Sequence, residues 1–339
     1  MRKVSYTYEL LDKMNKHKKW LTTIISCNVK IDYNANVVTT ATLTMKEDND
    51  INYLSDRIKV CMQLNGEEYA IGIFLLCTPT RNISATTVQR QITMYDLNQK
   101  LIDDKLTTRL YVEQGETIMS KISTILADEV RLIEPTTEQM PTQKIYEPGT
   151  SKLIVVNDLL SILNYYNLHV DVDGVFKASK YVEPRIRDTV VTYKEHGIIC
   201  PTFTDTSDLF DVPNVVIRYC SNSDTDDTND WYATYSNIDP KSPLSTVSRG
   251  RRIVNIAKAD ATSKAELDAI VKRDYIELTS ELYTLAFQTA VDPLLFNKYF
   301  PKIKVEVGEI NDYYIVTSIN FNCEVGALAT INARKVVSI

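Results

Sequence analysis

From Ser26 onward the apolar positions recur every second residue. In VVTTATLTM, Thr39, Ala41, Leu43 and Met45 fall on one face and Thr40, Thr42 and Thr44 on the other, which predicts a half-buried strand. VCMQLNGEEYAIGIFLL (60–76) places Asn65-Gly66 between two apolar runs, the strongest short-range signal for a two-residue hairpin. VQRQITMYDL (88–97) adds a strand with Ile92 and Met94 on one face. Residues 25–100 therefore read as antiparallel β, a small barrel or sandwich. The segment before them, with Lys13, Lys16, Lys18 and Lys19, reads as a solvated basic lead-in.

The period then changes. GETIMSKISTILADE (115–129) puts Ile118, Ile122, Ile125 and Leu126 on one helical face. VNDLLSILNYYN (156–167) predicts a second helix capped by Asn157, with Leu159, Leu160, Ile162 and Leu163 as its apolar side. HVDVDGVFKAS predicts a hairpin turning at Asp173-Gly174. The Pro- and Thr-rich run 134–143 connects the helices.

Alternation returns in the last third. Val215, Ile217 and Tyr219 alternate in NVVIRYC, and WYATY is a further extended run. After a turn-rich stretch (237–254), Ser263 and Glu266 form a capping box before a long helix whose stripe is Leu267, Ile270, Val271, Tyr275 and Leu278. YTLAFQT, KIKVEV (Ile303, Val305 and Val307 on one face) and YYIVTSINF predict closing strands. The expected organisation is mainly β with α+β. Residues 1–107 form a first β-barrel domain with its lead-in, 108–185 a small α+β linking domain, and 186–339 a second β-barrel domain with one long helix. Two β domains in one chain fit an old duplication, although no repeat is visible.

Composition narrows this picture. With 339 residues the chain has room for two or three domains, and 44% hydrophobic against 24% charged residues is ordinary for a soluble globular protein. A net charge of −6 weighs against nucleic acid as the main ligand. The six cysteines are scattered without a CxxC pair and read as buried free thiols in a reducing compartment. The N-terminus has no apolar signal core and no run approaches a membrane span, so synthesis and folding in a cytoplasm are expected.

Sequence signatures of catalysis are missing: GxSxG, GxGxxG, the P-loop and HExxH do not occur, and three histidines make a multi-histidine metal site improbable. His196 and Cys200 in EHGIICP are the one nucleophile–base candidate, and no recognisable motif surrounds either; they read as ordinary loop and strand residues. The acidic run SDTDDTNDWY (223–232) resembles a calcium loop, yet counting from Asp224 puts Asn229 at the glycine position and Tyr235 at the closing glutamate position. Asp224, Asp226 and Asp227, followed by Trp231, instead predict a solvated hairpin tip that touches a neighbour. Arg249, Arg251 and Arg252 in SRGRR form a cationic cluster suited to phosphate or to acidic partners within or between subunits, and ion pairing is the favoured reading. No cofactor or metal is expected.

SDLFDVPNVVIRY, SPLSTVSRGRRIV and KADATSKAELDAIVKRDYIELTSELYTLAFQTAVDPLLF follow one another in the last third. This order resembles the tail hub proteins of long-tailed phages and phage-like particles, especially those of Gram-positive hosts. YAIGIFLLCTPTR followed by TMYDLNQKLIDDK is similar to that family's first barrel, and GETIMSKISTIL to its linking domain. The resemblance implies a non-enzymatic baseplate hub: a homotrimer whose two tail-tube-like barrels per chain build a pseudo-sixfold ring between a sixfold tail tube and a threefold spike. It implies the tube protein, the central spike or its adaptor, other baseplate proteins and the tape measure protein as partners. DNA would be passing cargo, no membrane would be bound, and the destination would be a virion or bacteriocin-like particle, as in a contractile injection system. Two other readings stand beside it: a cell-wall-degrading tail-tip enzyme, and a carbohydrate-binding baseplate protein prompted by the 20 tyrosines.

Overall fold

The computed structural model describes residues 2–84, 87–127, 129–195, 199–207, 210–220, 231–280 and 283–337. The first half of the chain holds β1 (Val4–Leu11), β2 (His17–Trp20), β3 (Ile24–Asp32), β4 (Thr39–Lys46), β5 (Arg57–Leu64), β6 (Glu67–Ile83) and β7 (Val88–Tyr95), in the antiparallel order β3-β4-β7-β6-β5-β1-β2. Thr39, Ala41, Leu43 and Met45 are the buried face of β4, as their alternation predicts. Asn65 (φ 55°) and Gly66 (φ 96°) both take the left-handed conformation that a two-residue hairpin demands. The expected lead-in is solvated only in its later part, where Lys13, Lys16 and Lys18 are exposed. Residues 4–11 pair along the whole of β5 and bury Tyr8, Leu10 and Leu11. The lysines of β2 are held by acids: Lys18 on Asp56 at 2.6 Å, and Lys19 on Asp48 and Asp50 at 2.8 Å each. The alternation in VSYTYELL outweighs the basic residues behind it.

The linking unit contains α1 (Asn98–Asp103), β8 (Leu110–Val112), α2 (Ile118–Ile125), β9 (Arg131–Ile133), β10 (Lys144–Tyr146), α3 (Lys152–Ile162), β11 (His169–Val170) and β12 (Phe176–Ala178) around its own core. Ile118, Ile122 and Leu126 are buried there. The second helix begins earlier than its predicted cap. Ser151 is the N-cap, its Oγ accepting from the Ile154 N–H at 3.4 Å, while Asn157 lies inside the helix and accepts from the Leu168 N–H at 2.8 Å. The run KLIVV, strand-like by composition, is helical because Leu153, Val155 and Val156 bury in this core. The hairpin turn at Asp173-Gly174 forms as expected, with Gly174 at φ 80°.

Beyond it come β13 (Thr189–Lys194), β14 (Ile199–Ser207), β15 (Val215–Cys220), β16 (Trp231–Ser236), α4 (Thr246–Arg249), β17 (Val254–Lys258), α5 (Lys264–Ser280), β18 (Tyr283–Ala290), β19 (Lys302–Val307), β20 (Ile310–Asn322) and β21 (Leu328–Lys335). Residues 215–220 and 231–278 form a small unit: the sheet β16-β15-β17 is covered by α5, whose Leu267, Ile270, Val271 and Tyr275 face it. Ser263 caps α5, its Oγ accepting from the Glu266 N–H at 3.1 Å, and the Glu266 carboxylate meets Lys180 at 3.4 Å. β15 does alternate, but Val216, Arg218 and Cys220 point inward while Ile217 and Tyr219 are half-buried. Arg218 can face the core because Asp274 of α5 pairs with it and Asn255 Oδ1 accepts from it at 2.8 Å.

The two β halves are not separate bodies. The long strand β20 carries β21 along one edge; its first part pairs with β19 and its last part with β3. Asp32, Ile31, Lys30, Val29 and Asn28 lie opposite Ser318, Ile319, Asn320, Phe321 and Asn322. One 13-stranded sheet and one contiguous apolar core result. None of the sheets closes into a barrel among the described residues.

Candidate assembly interface

The seam between the halves is fixed by backbone and by side chains. Asn28 Nδ2 donates to Asn322 Oδ1 at 2.9 Å and to the Phe321 carbonyl at 3.2 Å, and the Cys323 N–H donates to the Cys27 carbonyl at 2.8 Å. Behind it, aromatic rings from all parts of the chain converge. Tyr33 of the first half packs 5.4 Å from Phe300 and 5.8 Å from Tyr299. Tyr166 of the linking unit lies 5.8 Å from Tyr299 and 5.3 Å from Tyr181. Tyr33 Oη donates to the Leu295 carbonyl and Tyr299 Oη to the Tyr33 carbonyl, each at 3.2 Å. Arg273 of α5 donates to Asn164 Oδ1 and the Tyr165 carbonyl, and its guanidinium lies over the rings of Tyr166 and Tyr181. Arg334 pairs with Glu277. Four of the 20 tyrosines, Tyr33, Tyr166, Tyr181 and Tyr299, thus join the units.

Two titratable groups are shaped by this packing. The His169 ring stacks on Tyr299 at 3.9 Å, nearly parallel, and burial pushes its pKa down to about 4. Asp96 is buried, accepts from the backbone N–H groups of Thr39 (2.8 Å) and Asn98 (2.9 Å), and is pushed up to about 7 by burial, which outweighs those bonds. Both line a small, partly open pocket of about 60 Å³. Beyond the His169–Tyr299 stack, a groove of about 650 Å³ opens between the linking unit and the second half.

Arg249 donates to the carbonyls of Val212 (2.8 Å) and Phe210 (2.9 Å), and Arg251 to that of Phe210 (2.7 Å) while lying 4.7 Å from its ring. They brace the 210–212 turn through these carbonyl bonds. Arg252 is exposed beside them. Trp231 is half-buried against the core of the small unit, where it pairs with Cys220 across β15 and β16. Asp224, Asp226 and Asp227 lie outside the described residues, as does His196; of Cys200 the backbone alone is described, in β14. Cys27, Cys61, Cys77 and Cys323 are free thiols. Among the described residues no group of three or more His, Cys, Asp or Glu gathers as metal ligands, and no helix is long and apolar enough to cross a membrane. The aromatic junction was not anticipated; its signal in sequence was the tyrosine count, which says nothing about where the rings meet.

No protein-family model and no curated protein matches the chain. Solved structures do. A tail protein from Neisseria meningitidis superposes with a TM-score of 0.69 at 12% identity, over 97% of this chain and 96% of that one. The fold is that of phage tail proteins. A prophage tail protein from Listeria monocytogenes shares this tail-protein fold with a TM-score of 0.61 at 9% identity, over 97% of this chain and 94% of that one. A chain of the Francisella PdpA–VgrG complex shares it with a TM-score of 0.57 at 10% identity, over the whole of this chain but 59% of its own length. The tail-protein fold is thus common to proteins of different bacteria, and it does not single out Gram-positive hosts.

Proposed function

We propose that this chain is a structural hub of a phage tail or related baseplate, without catalytic activity. The observation that carries the reading is the β3–β20 seam: two β halves joined edge to edge into one sheet, within a tail-protein fold. Three such chains would supply six β halves, each a barrel-like segment, and so a pseudo-sixfold ring between a sixfold tube and a threefold spike. In this reading residues 1–107 and 186–339 are the two ring segments and 108–185 links them. The tube protein, the spike or its adaptor, neighbouring baseplate proteins and the tape measure protein are the partners, with the exposed Arg252 and the acidic residues Asp224, Asp226 and Asp227 as contacts to neighbours. A net charge of −6 would line the channel with like charge for passing DNA.

Light scattering on the purified chain tests this, followed by negative-stain microscopy of the same fraction. A trimer seen as a ring with a central hole is expected. A compact monomer at high concentration that also fails to trimerise with a tube or spike partner refutes the ring. Clearing of peptidoglycan in a zymogram would favour the tail-tip enzyme instead.

A further inference from the structure

The groove beside the His169–Tyr299 stack has a chemistry that the proposed ring does not use. Its apolar lining comes from Leu132 and Ile133 of β9, Val182, Val190 of β13 and Pro301. Leu132 is 66% and Val182 41% exposed, an unusual extent of apolar surface next to charged side chains. The charge belongs to Arg187, Lys298 and Lys302, which line the same groove. Lys302 is buried and donates to the carbonyls of Arg185 (2.7 Å) and Arg187 (2.9 Å). Arg187 donates to the carbonyls of Val182 (3.0 Å) and Phe300 (2.9 Å), its guanidinium 4.9 Å from the Tyr166 ring. Both cations are therefore anchored by carbonyl oxygens, and neither has a carboxylate within ion-pair distance among the described residues. Burial holds the pKa of each below its ordinary value and outweighs the opposing pull of Glu277 on Arg187 and of Asp188 on Lys302. Of the acidic residues lining the groove, Glu134 is engaged by the Lys180 N–H, which leaves Asp188.

Two strands with a vacant edge border this space. Among the described residues β9 pairs with β12 alone and β13 with β19 alone. An open edge is a template for another strand.

We propose that the groove receives an extended segment of a partner protein, laid between β9 and β13, in which apolar and acidic side chains alternate. The apolar set would cover Leu132, Val182 and Val190, and the acidic set would meet Arg187, Lys298 and Lys302. A period of two places the sets on opposite sides of the strand, one toward each lining. The inference does not depend on the ring.

The test is fluorescence anisotropy with a fluorescein-labelled peptide of about nine residues alternating valine and glutamate, and its counterpart with lysine for glutamate. The glutamate peptide is expected to bind saturably, and the lysine peptide at least about tenfold more weakly. The double variant Leu132→Asp with Lys298→Glu, altered at two exposed positions so that the fold is kept, is expected to lose at least about tenfold in affinity for the glutamate peptide. Equal binding of the two peptides, or unchanged binding by the double variant, overturns the proposal. A photo-crosslinker placed at Val182 of the purified chain adds an independent readout: efficient crosslinking of the chain to itself would assign the groove to a second copy and overturn the partner.

Discussion

Ile31 and Ile319 face each other across the β3–β20 seam, and both are buried in the one core that serves both halves of the sheet. The halves therefore share their stability. Ile319→Ala should cost about 2–5 kcal/mol, because a large buried side chain is removed from a core that closes incompletely around the loss. It should destabilise the first half as much as the second. Hydrogen exchange of the amides in β4 and β21 checks this: both should lose protection in parallel. Continued protection of β4 while β21 opens would show two independent bodies.

Arg218 and Asp274 tie the small unit's sheet to its helix. Arg218→Ala should lower the stability of this unit by about 2–3 kcal/mol, at the low end for breaking a buried pair because Asp274 retains 30% side-chain exposure. Arg218→Met, which keeps the volume and removes the charge, should leave the same orphaned carboxylate with better packing and so cost less. Urea unfolding followed by Trp231 fluorescence gives both values. Equal losses would show that packing has no part in the difference.

The stacked His169 sets a pH dependence. Its folded pKa of about 4 lies below the ordinary 6.5, so the folded state binds fewer protons between these values than the unfolded chain does. The stabilisation is present above about pH 6.5 and is lost as pH falls toward 4, up to about 3 kcal/mol in all. Asp96, raised to about 7, acts in the opposite sense across an overlapping range. His169→Gln should therefore remove the downward slope on acidification and expose the contrary contribution of Asp96. Thermal melts of both proteins at about pH 4.5 and 7.5, which span most of the window, would contradict this if the two slopes coincide.

Gly174 occupies a turn at φ 80°, and a Cβ there would lie 3.3 Å from methyl groups of both Ile73 and Leu97. Gly174→Ala should cost about 1–3 kcal/mol, from the left-handed backbone and from the forced parting of the linking unit's hairpin from the first half. Gly66→Ala provides the comparison: its φ is also positive, but nothing lies within 4 Å of the added carbon. Denaturant midpoints should show Gly174→Ala as the more damaging of the two, and the reverse order would mean that the docking contact carries no weight.

Strand positions were legible in β4 and β19, where a period of two buries one face, whereas the same alternation in VSYTYELL was masked by the basic residues behind it. The Asn65-Gly66 and Asp173-Gly174 turns were legible for the same local reason. Failures came where tertiary partners decide. Residues 152–156 look extended but are helical because three of them fill the linking core. Arg218 faces inward because a residue 56 positions away supplies its counter-charge. The lysines of β2 concealed a strand whose partner acids lie beyond residue 47. At the candidate interface, the three arginines were visible as a cluster, but the carbonyl partners of Arg249 and Arg251 at 210 and 212 were not. The aromatic junction and the groove are assembled from segments between residues 33 and 334, and no local pattern encodes their meeting.

The seam also sets a schedule. Asn28 and Asn322 are separated by 294 positions, yet they are hydrogen-bonded neighbours. At a synthesis rate of about 5–20 residues per second, β3 leaves the ribosome roughly 15–60 s before β20 exists. During that interval the edge of β3 has no partner from its own chain, while β4 already covers its other side. The nascent first half therefore passes through a stage with an unguarded sheet edge, whose duration is set by the length of the intervening sequence. Lengthening the middle of the chain would prolong that exposure without altering a single contact in the finished fold.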